Sequence, residues 1–106
     1  MVLAEGLKSQ DAGMKMQTDK KPKKAKELFE DAIGKYEEAL KLDPALARAH
    51  REMGVVLATI KKDEQAVEHY REYMRLAPDA EDAAKVKQII ADWETAAAKK
   101  GTKKKK

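Results

Sequence analysis

His50 and His69 are the only two imidazoles in a chain of 106 residues that has no cysteine. Acid–base or metal chemistry near neutral pH would therefore fall to them. They stand nineteen positions apart on different predicted helices, and no His-rich run or Asp/Glu ligand spacing accompanies them. The sequence holds no Gly-rich phosphate loop, Walker pattern or nucleophile elbow. Lack of cysteine removes thiol chemistry, disulfides and the commonest structural zinc ligand. These residues predict no catalytic site, no metal site and no bound cofactor, so the chain reads as non-enzymatic. His50 is expected to be a packed imidazole bonded to a backbone carbonyl or to water.

Anion recognition is the chemistry that remains. Arg48, Arg51, Val55 and Thr59 recur at helical steps of three and four and share one face, with Glu52 beside them. Lysine is concentrated in two runs. Lys99, Lys100 and Lys103 to Lys106 supply six charges of a chain whose net charge is +4, which leaves −2 on the rest. Lys20, Lys21, Lys23, Lys24 and Lys26 surround Pro22 in the second run. Residues 99–106 are expected to form a disordered, solvated tail. Such a tail would attract nucleic acid or anionic lipid by counterion release. No aromatic residue interleaves with it to stack on bases, which speaks against nucleic acid as its partner.

Five helices are needed to carry these residues. Charged residues make up 40% of the chain and aromatic residues 5%, a balance that reads as all-α. The first helix is predicted from about Leu3 to Thr18, with Leu3, Leu7 and Met14 as an apolar stripe. Gly6 and Gly13 weaken it by about 1 kcal/mol each. Pro22 suits the first turn of the second helix, which ends before Pro44. The third spans roughly Leu46 to Ile60. Asp63 is expected to cap the fourth, which stops before Pro78, and Asp79 to cap the fifth. The fifth shows Val86, Ile89, Ile90 and Trp93 at steps that place them on one face. No long apolar run and no signal-peptide pattern is seen, so the chain is expected to be cytoplasmic and not transmembrane.

Shifted by 34 residues, the chain lies on itself. Ala32, Ile33, Tyr36, Glu38, Leu40, Leu42 and Pro44 fall onto Ala66, Val67, Tyr70, Glu72, Met74, Leu76 and Pro78. A helical unit repeated at this period must stack on its neighbours to bury its apolar face. His50, Met53-Gly54, Leu57, Ala66, Tyr70 and Pro78 occupy the signature slots of the tetratricopeptide repeat, which the chain resembles. His50 replaces the usual aromatic, and Tyr73 fills a slot that is usually small. Aligning Gly13 and Met16 with Gly54 and Leu57 requires about seven extra residues in the first unit, or one added turn on each of its helices.

The resemblance implies a helical-hairpin solenoid occupying residues 1–98: a hairpin over about 3–43, a second over about 46–77, and a solvating capping helix over about 80–98. It also implies a non-catalytic scaffold or adaptor that holds another protein or a peptide in a concave groove. The candidate groove residues are Arg48, Arg51, Glu52, Val55, Thr59 and Lys87, and their charge suits an acidic or carboxylate-bearing segment. Val55 stands where some relatives carry a clamp asparagine. Association of polyanions with the lysine tail, and self-assembly into homo-oligomers through the solenoid ends, are the alternatives.

Overall fold

Proline and backbone closure set the punctuation of this chain. A computed structural model describes residues 2–104, with side chains to residue 98, and places five helices in order: α1 (Val2–Thr18), α2 (Pro22–Leu42), α3 (Ala47–Thr59), α4 (Asp63–Leu76) and α5 (Ala83–Lys104). Pro22 opens α2, where its missing N–H would have no helical partner. Both hairpins turn through a lysine in the left-handed region, Lys20 at φ 61° and Lys61 at φ 68°. In the first turn Lys20 N–H bonds to Gln17 O at 3.0 Å and Lys21 N–H to Met16 O at 2.8 Å. In the second, Lys61 N–H bonds to Ala58 O at 3.1 Å and Lys62 N–H to Leu57 O at 2.8 Å. This is the crossed pair of bonds that closes many helices, here without the usual glycine.

Two periods coexist. The hairpin turns repeat at 41 residues, from Lys20 to Lys61, and Ala25 N–H→Lys21 O is matched by Ala66 N–H→Lys62 O. The exits of α2 and α4 repeat at 34 residues. There Asp43 N–H→Ala39 O, Leu46 N–H→Asp43 O and Ala49 N–H→Leu46 O are matched by Ala77 N–H→Tyr73 O, Ala80 N–H→Ala77 O and Ala83 N–H→Ala80 O. The seven-residue difference is the length of α2, 21 residues against 14 in α4. Seven residues make about two helical turns, and α1 is lengthened by the same amount, since Gly6 stands fourteen residues before Lys20 and Gly54 seven before Lys61. Both helices of the first hairpin are lengthened, and the expected one added turn on each is corrected to two.

Glycine on α1 faces an aromatic ring on α2 at two levels. A Cβ on Gly6 would lie 2.5 Å from the Tyr36 ring, and one on Gly13 would lie 2.8 Å from the Phe29 ring. Gly54 has the same relation to Tyr70, at 2.7 Å. Tyr36 and Tyr70 are related by the 34-residue period, so Gly6, not Gly13, is the counterpart of Gly54. The longer hairpin inserts one further rung, Gly13 on Phe29.

The core gathers Ala25, Phe29, Ala32 and Tyr36 from α2, Met53, Val56 and Leu57 from α3, Ala66, Tyr70 and Tyr73 from α4, and Val86 from α5. Leu3, Leu7 and Met16 of α1 pack against it, whereas Met14, expected on that stripe, is exposed. α3 packs on both α2 and α4 and touches α1; α5 joins through α4. Ile89, expected in the α5 stripe, is also exposed. Asp63 is the first residue of α4 and makes no side-chain cap; with Glu64 it instead meets the positive end of the helix. Asp79 lies ahead of α5, which begins at Ala83 and continues beyond the expected boundary at Ala98 to Lys104. Ala96, Ala97 and Ala98 favour that continuation, since alanine is the best helix former. Lys105 and Lys106, and the side chains of the expected tail from Lys99 onward, lie outside the described residues.

Candidate protein-interaction groove

α3 and α5 both pack on α4, and a groove floored by α4 runs between them beside the turn that precedes α5. Arg51, Val55, Tyr70, Asp82, Lys85, Val86 and Ile89 line one part of it. Arg48, Arg51, Tyr73, Glu81 and Asp82 line the part nearer the α4–α5 turn. Three of the six expected residues, Arg48, Arg51 and Val55, line it. Arg48 is exposed and lies on the rim, and Val55 contributes to the apolar floor with Ile89. Arg51 belongs to the wall but is not free: its Nε donates to Asp82 Oδ2 at 2.5 Å and its Nη1 to Glu52 Oε2 at 3.0 Å.

Glu52, expected to avoid the core, is buried at 5% exposure. Its Oε1 accepts a hydrogen bond from Gln10 Nε2 at 3.2 Å, and its Oε2 accepts from Arg48 Nε at 3.4 Å as well as from Arg51. Thr59 stands apart, at a notch with Gln17, Pro22 and Phe29, and spends its hydroxyl on Val55 O at 2.8 Å. Lys87 lines neither part of the groove; Lys85 takes the place expected of it. One turn of helix is 3.6 residues, so a shift of two reverses the face a residue presents.

A relay of polar side chains was not anticipated. Tyr36 OH donates to Gln10 Oε1, Gln10 donates to Glu52, Arg51 joins Glu52 to Asp82, and Tyr73 OH donates to Asp82 Oδ1 at 2.5 Å. The relay crosses from α2 through α1 and α3 to the α4–α5 turn and returns to α4. Every buried side-chain nitrogen and oxygen among the described residues has a partner. Burial, then the nearby Glu52 carboxylate, pushes the Tyr36 phenol well above its ordinary range and keeps it a donor. The bonds from Tyr73 and then Arg51 hold the Asp82 carboxyl below its ordinary range. Gln10 shares a helical face with Gly6 and Gly13, and that spacing was its one signal in the sequence.

The histidines meet on the other side of α3. Their Nδ1 atoms lie 3.0 Å apart, and His50 Nε2 lies 3.2 Å from Pro44 O. A carbonyl only accepts, so His50 carries its proton on Nε2 and its Nδ1 accepts from His69 Nδ1–H. Burial, and then the neighbouring His50, lower the pKa of His69; Glu68, Glu37 and Glu72 oppose the shift. The folded chain then binds fewer protons here than the unfolded chain does. This contribution to stability is complete above the ordinary imidazole pKa of about 6.5 and is lost as pH falls below it. Thermal melts at pH 7.5 and pH 5.5 should show a fall in Tm that shrinks in His69→Gln. An equal fall in both proteins would assign the pH dependence to other groups.

A stack of antiparallel helix pairs closed by a single helix is a helical-repeat scaffold. Residues 25–61, which is 37 of the 106, match the family model of the TPR repeat, and they cover α2, the Pro44 turn and α3. That segment is similar to a tetratricopeptide repeat. No curated protein and no solved structure matches the chain. The family is in general a non-catalytic module for protein–protein interaction. No helix among the described residues is long and apolar enough to cross a membrane.

Proposed function

We propose that this chain is a non-catalytic scaffold that holds a carboxylate-bearing segment of another protein in the groove between α3 and α5. The observation that supports this reading most is the pairing of an exposed apolar residue, Ile89, with cations on the same groove. Arg48 has a side chain 59% exposed and shares the single Glu52 carboxylate with Arg51, so it retains charge for a ligand. Lys85 is exposed on the α5 side. Arg51 is the anchor of the wall, because Asp82 and Glu52 already hold its guanidinium. A helix or extended peptide would rest apolar side chains on Val55, Val86 and Ile89 and point a carboxylate toward Arg48 and Lys85.

Calorimetric titration with a panel of acidic peptides, each with a free and an amidated C-terminus, tests this reading. The double variant Arg48→Ala/Lys85→Ala should bind about tenfold more weakly, the effect of losing about 1.4 kcal/mol. Ile89→Asp should abolish binding without unfolding the chain, since Ile89 is exposed. Unchanged affinity in both variants would remove the groove from consideration.

A further inference from the structure

The second lysine run, around Pro22, is left unused by the groove. It occupies the α1–α2 turn and the start of α2, and the fold brings the α3–α4 turn to the same edge of the stack. Gln17 of α1 and Pro22 and Lys26 of α2, at the first hairpin tip, line one notch with Thr59 and Ile60 at the end of α3. Lys61 and Lys62 share a second notch with Trp93 of α5. Thus the two hairpin tips and the middle of α5, at Trp93, lie along one edge. Lys20, Lys21, Lys23, Lys24, Lys26, Lys61 and Lys62 are all exposed there. None of the seven joins an ion pair among the described residues, where Lys15–Asp19 and Lys35–Glu5 are the lysine pairs.

The charge is sorted by edge. Residues 15–26 carry +5 net, with Asp19 as their one acid. Removing those five and the six charges of 99–106 from the total of +4 leaves −7 on the remainder. The opposite edge holds Asp43 in the α2–α3 turn and Asp79, Glu81 and Asp82 between α4 and α5. The α3–α4 turn is locally neutral, because Asp63 and Glu64 follow Lys61 and Lys62. The positive field is therefore centred on the first hairpin tip.

We infer that this edge, centred on Lys20, Lys21, Lys23, Lys24 and Lys26, binds the phosphate backbone of duplex nucleic acid without reading its sequence. Polyanion attraction to the tail alone lacked a folded surface; the stack supplies one. Phe29, Tyr36, Tyr70 and Tyr73 are buried, which leaves half-buried Trp93 as the one aromatic ring at this edge; a single ring makes no platform for a run of unstacked bases, which favours a duplex over a single strand. Phosphate contacts by lysine carry affinity but no sequence information. A lipid surface would call for apolar anchors beside the lysines. Of the exposed large apolar residues, Leu42 lies at the opposite edge and Ile89 in the groove, leaving Met14 alone near the tip.

The test is fluorescence anisotropy of a labelled 20-base-pair mixed-sequence DNA duplex with the full chain, from 50 to 200 mM salt. The slope of log K against log salt is about −0.9 per phosphate neutralised. Lys21→Gln/Lys23→Gln/Lys24→Gln should weaken binding at 50 mM salt at least tenfold and flatten the slope by about 2.7, which is three contacts. Lys41→Gln, at the opposite edge, should change neither. A full chain with Lys99, Lys100 and Lys103 to Lys106 replaced by glutamine should still bind and still lose affinity with the triple substitution. Circular dichroism melts establish that each variant is folded. Equal binding by the folded triple variant, or loss of all binding when only the tail is neutralised, would overturn the inference. So would binding to phosphatidylserine vesicles with none to DNA.

Discussion

Gly54→Val destabilises the chain by about 2–3 kcal/mol, while Gly34→Ala stabilises it by about 1 kcal/mol, although both glycines lie within helices. The two differ in what a Cβ would meet. At Gly54 it would lie 2.7–2.9 Å from three atoms of the Tyr70 ring, and at Gly34 nothing lies within 4 Å. Tyr70 is 5% exposed and wedged between α3 and α4, so its ring cannot turn aside. Valine adds branched methyl groups to a contact already too short for alanine. At Gly34 only the backbone entropy of glycine is at stake, and alanine recovers it. Gly6→Val against Tyr36, which is 0% exposed, should behave like Gly54→Val. Melting temperatures of Gly54→Val and Gly34→Ala should separate by roughly 12–32 °C, at about 4–8 °C per kcal/mol for a domain of this size. Trimming the ring should relieve the clash, so Gly54→Ala and Tyr70→Leu should couple by about 1 kcal/mol or more in a double-mutant cycle. Additive effects would show that the close approach does not govern the site.

The sequence made the helices, their proline boundaries and the 34-residue repeat legible, because these depend on local chemistry and on a period that needs only one chain to see. Gly6 and Gly13 show where that reading ends. Taken alone they are helix-weakening residues; opposite Phe29 and Tyr36 they are the positions that let α1 approach α2. Which glycine pairs with which ring depends on the register of two helices, and the register depends on the length of α2. The groove was legible in the same partial way. Spacing placed Arg48, Arg51 and Val55 on one face, but it could not show that Asp82 would reach across to Arg51. Nor could it show that Glu52, one residue from Arg51, would turn inward to Gln10. Lys85 and Lys87 differ by two positions, and only the packing of α5 on α4 decides between them. The histidine pair and the edge of lysines are tertiary in the same sense: each joins segments that the spacing along the chain keeps apart.

Glu52→Ala should lower stability by about 2–3 kcal/mol, an unusual effect for a charged residue beside a surface groove. Glu52 is the point where the polar relay changes hairpins. Its removal strands the Gln10 amide, itself 5% exposed, without the acceptor that Glu52 Oε1 supplies at 3.2 Å. A buried donor left unpaired costs about 1–3 kcal/mol. Arg51 keeps Asp82, and both arginines reach water, so the loss stays below that of a fully buried charge pair. Glu52→Gln retains a carbonyl oxygen for Gln10 while giving up the charge, and should lose about 1 kcal/mol, in line with a single net hydrogen bond. Urea unfolding orders the three proteins: midpoints should fall from parent to Glu52→Gln to Glu52→Ala at a constant slope. Arg51→Glu belongs to the same series, because it sets a third carboxylate between Glu52 and Asp82. Weakened peptide binding by that variant would report a loosened wall as readily as a lost contact, whereas Arg48 and Lys85 can be changed with the relay from Tyr36 to Asp82 left in place. A parent-like midpoint for Glu52→Ala would mean that α1 and α3 are held together by apolar packing alone, with the relay serving only to keep Gln10 and Glu52 satisfied.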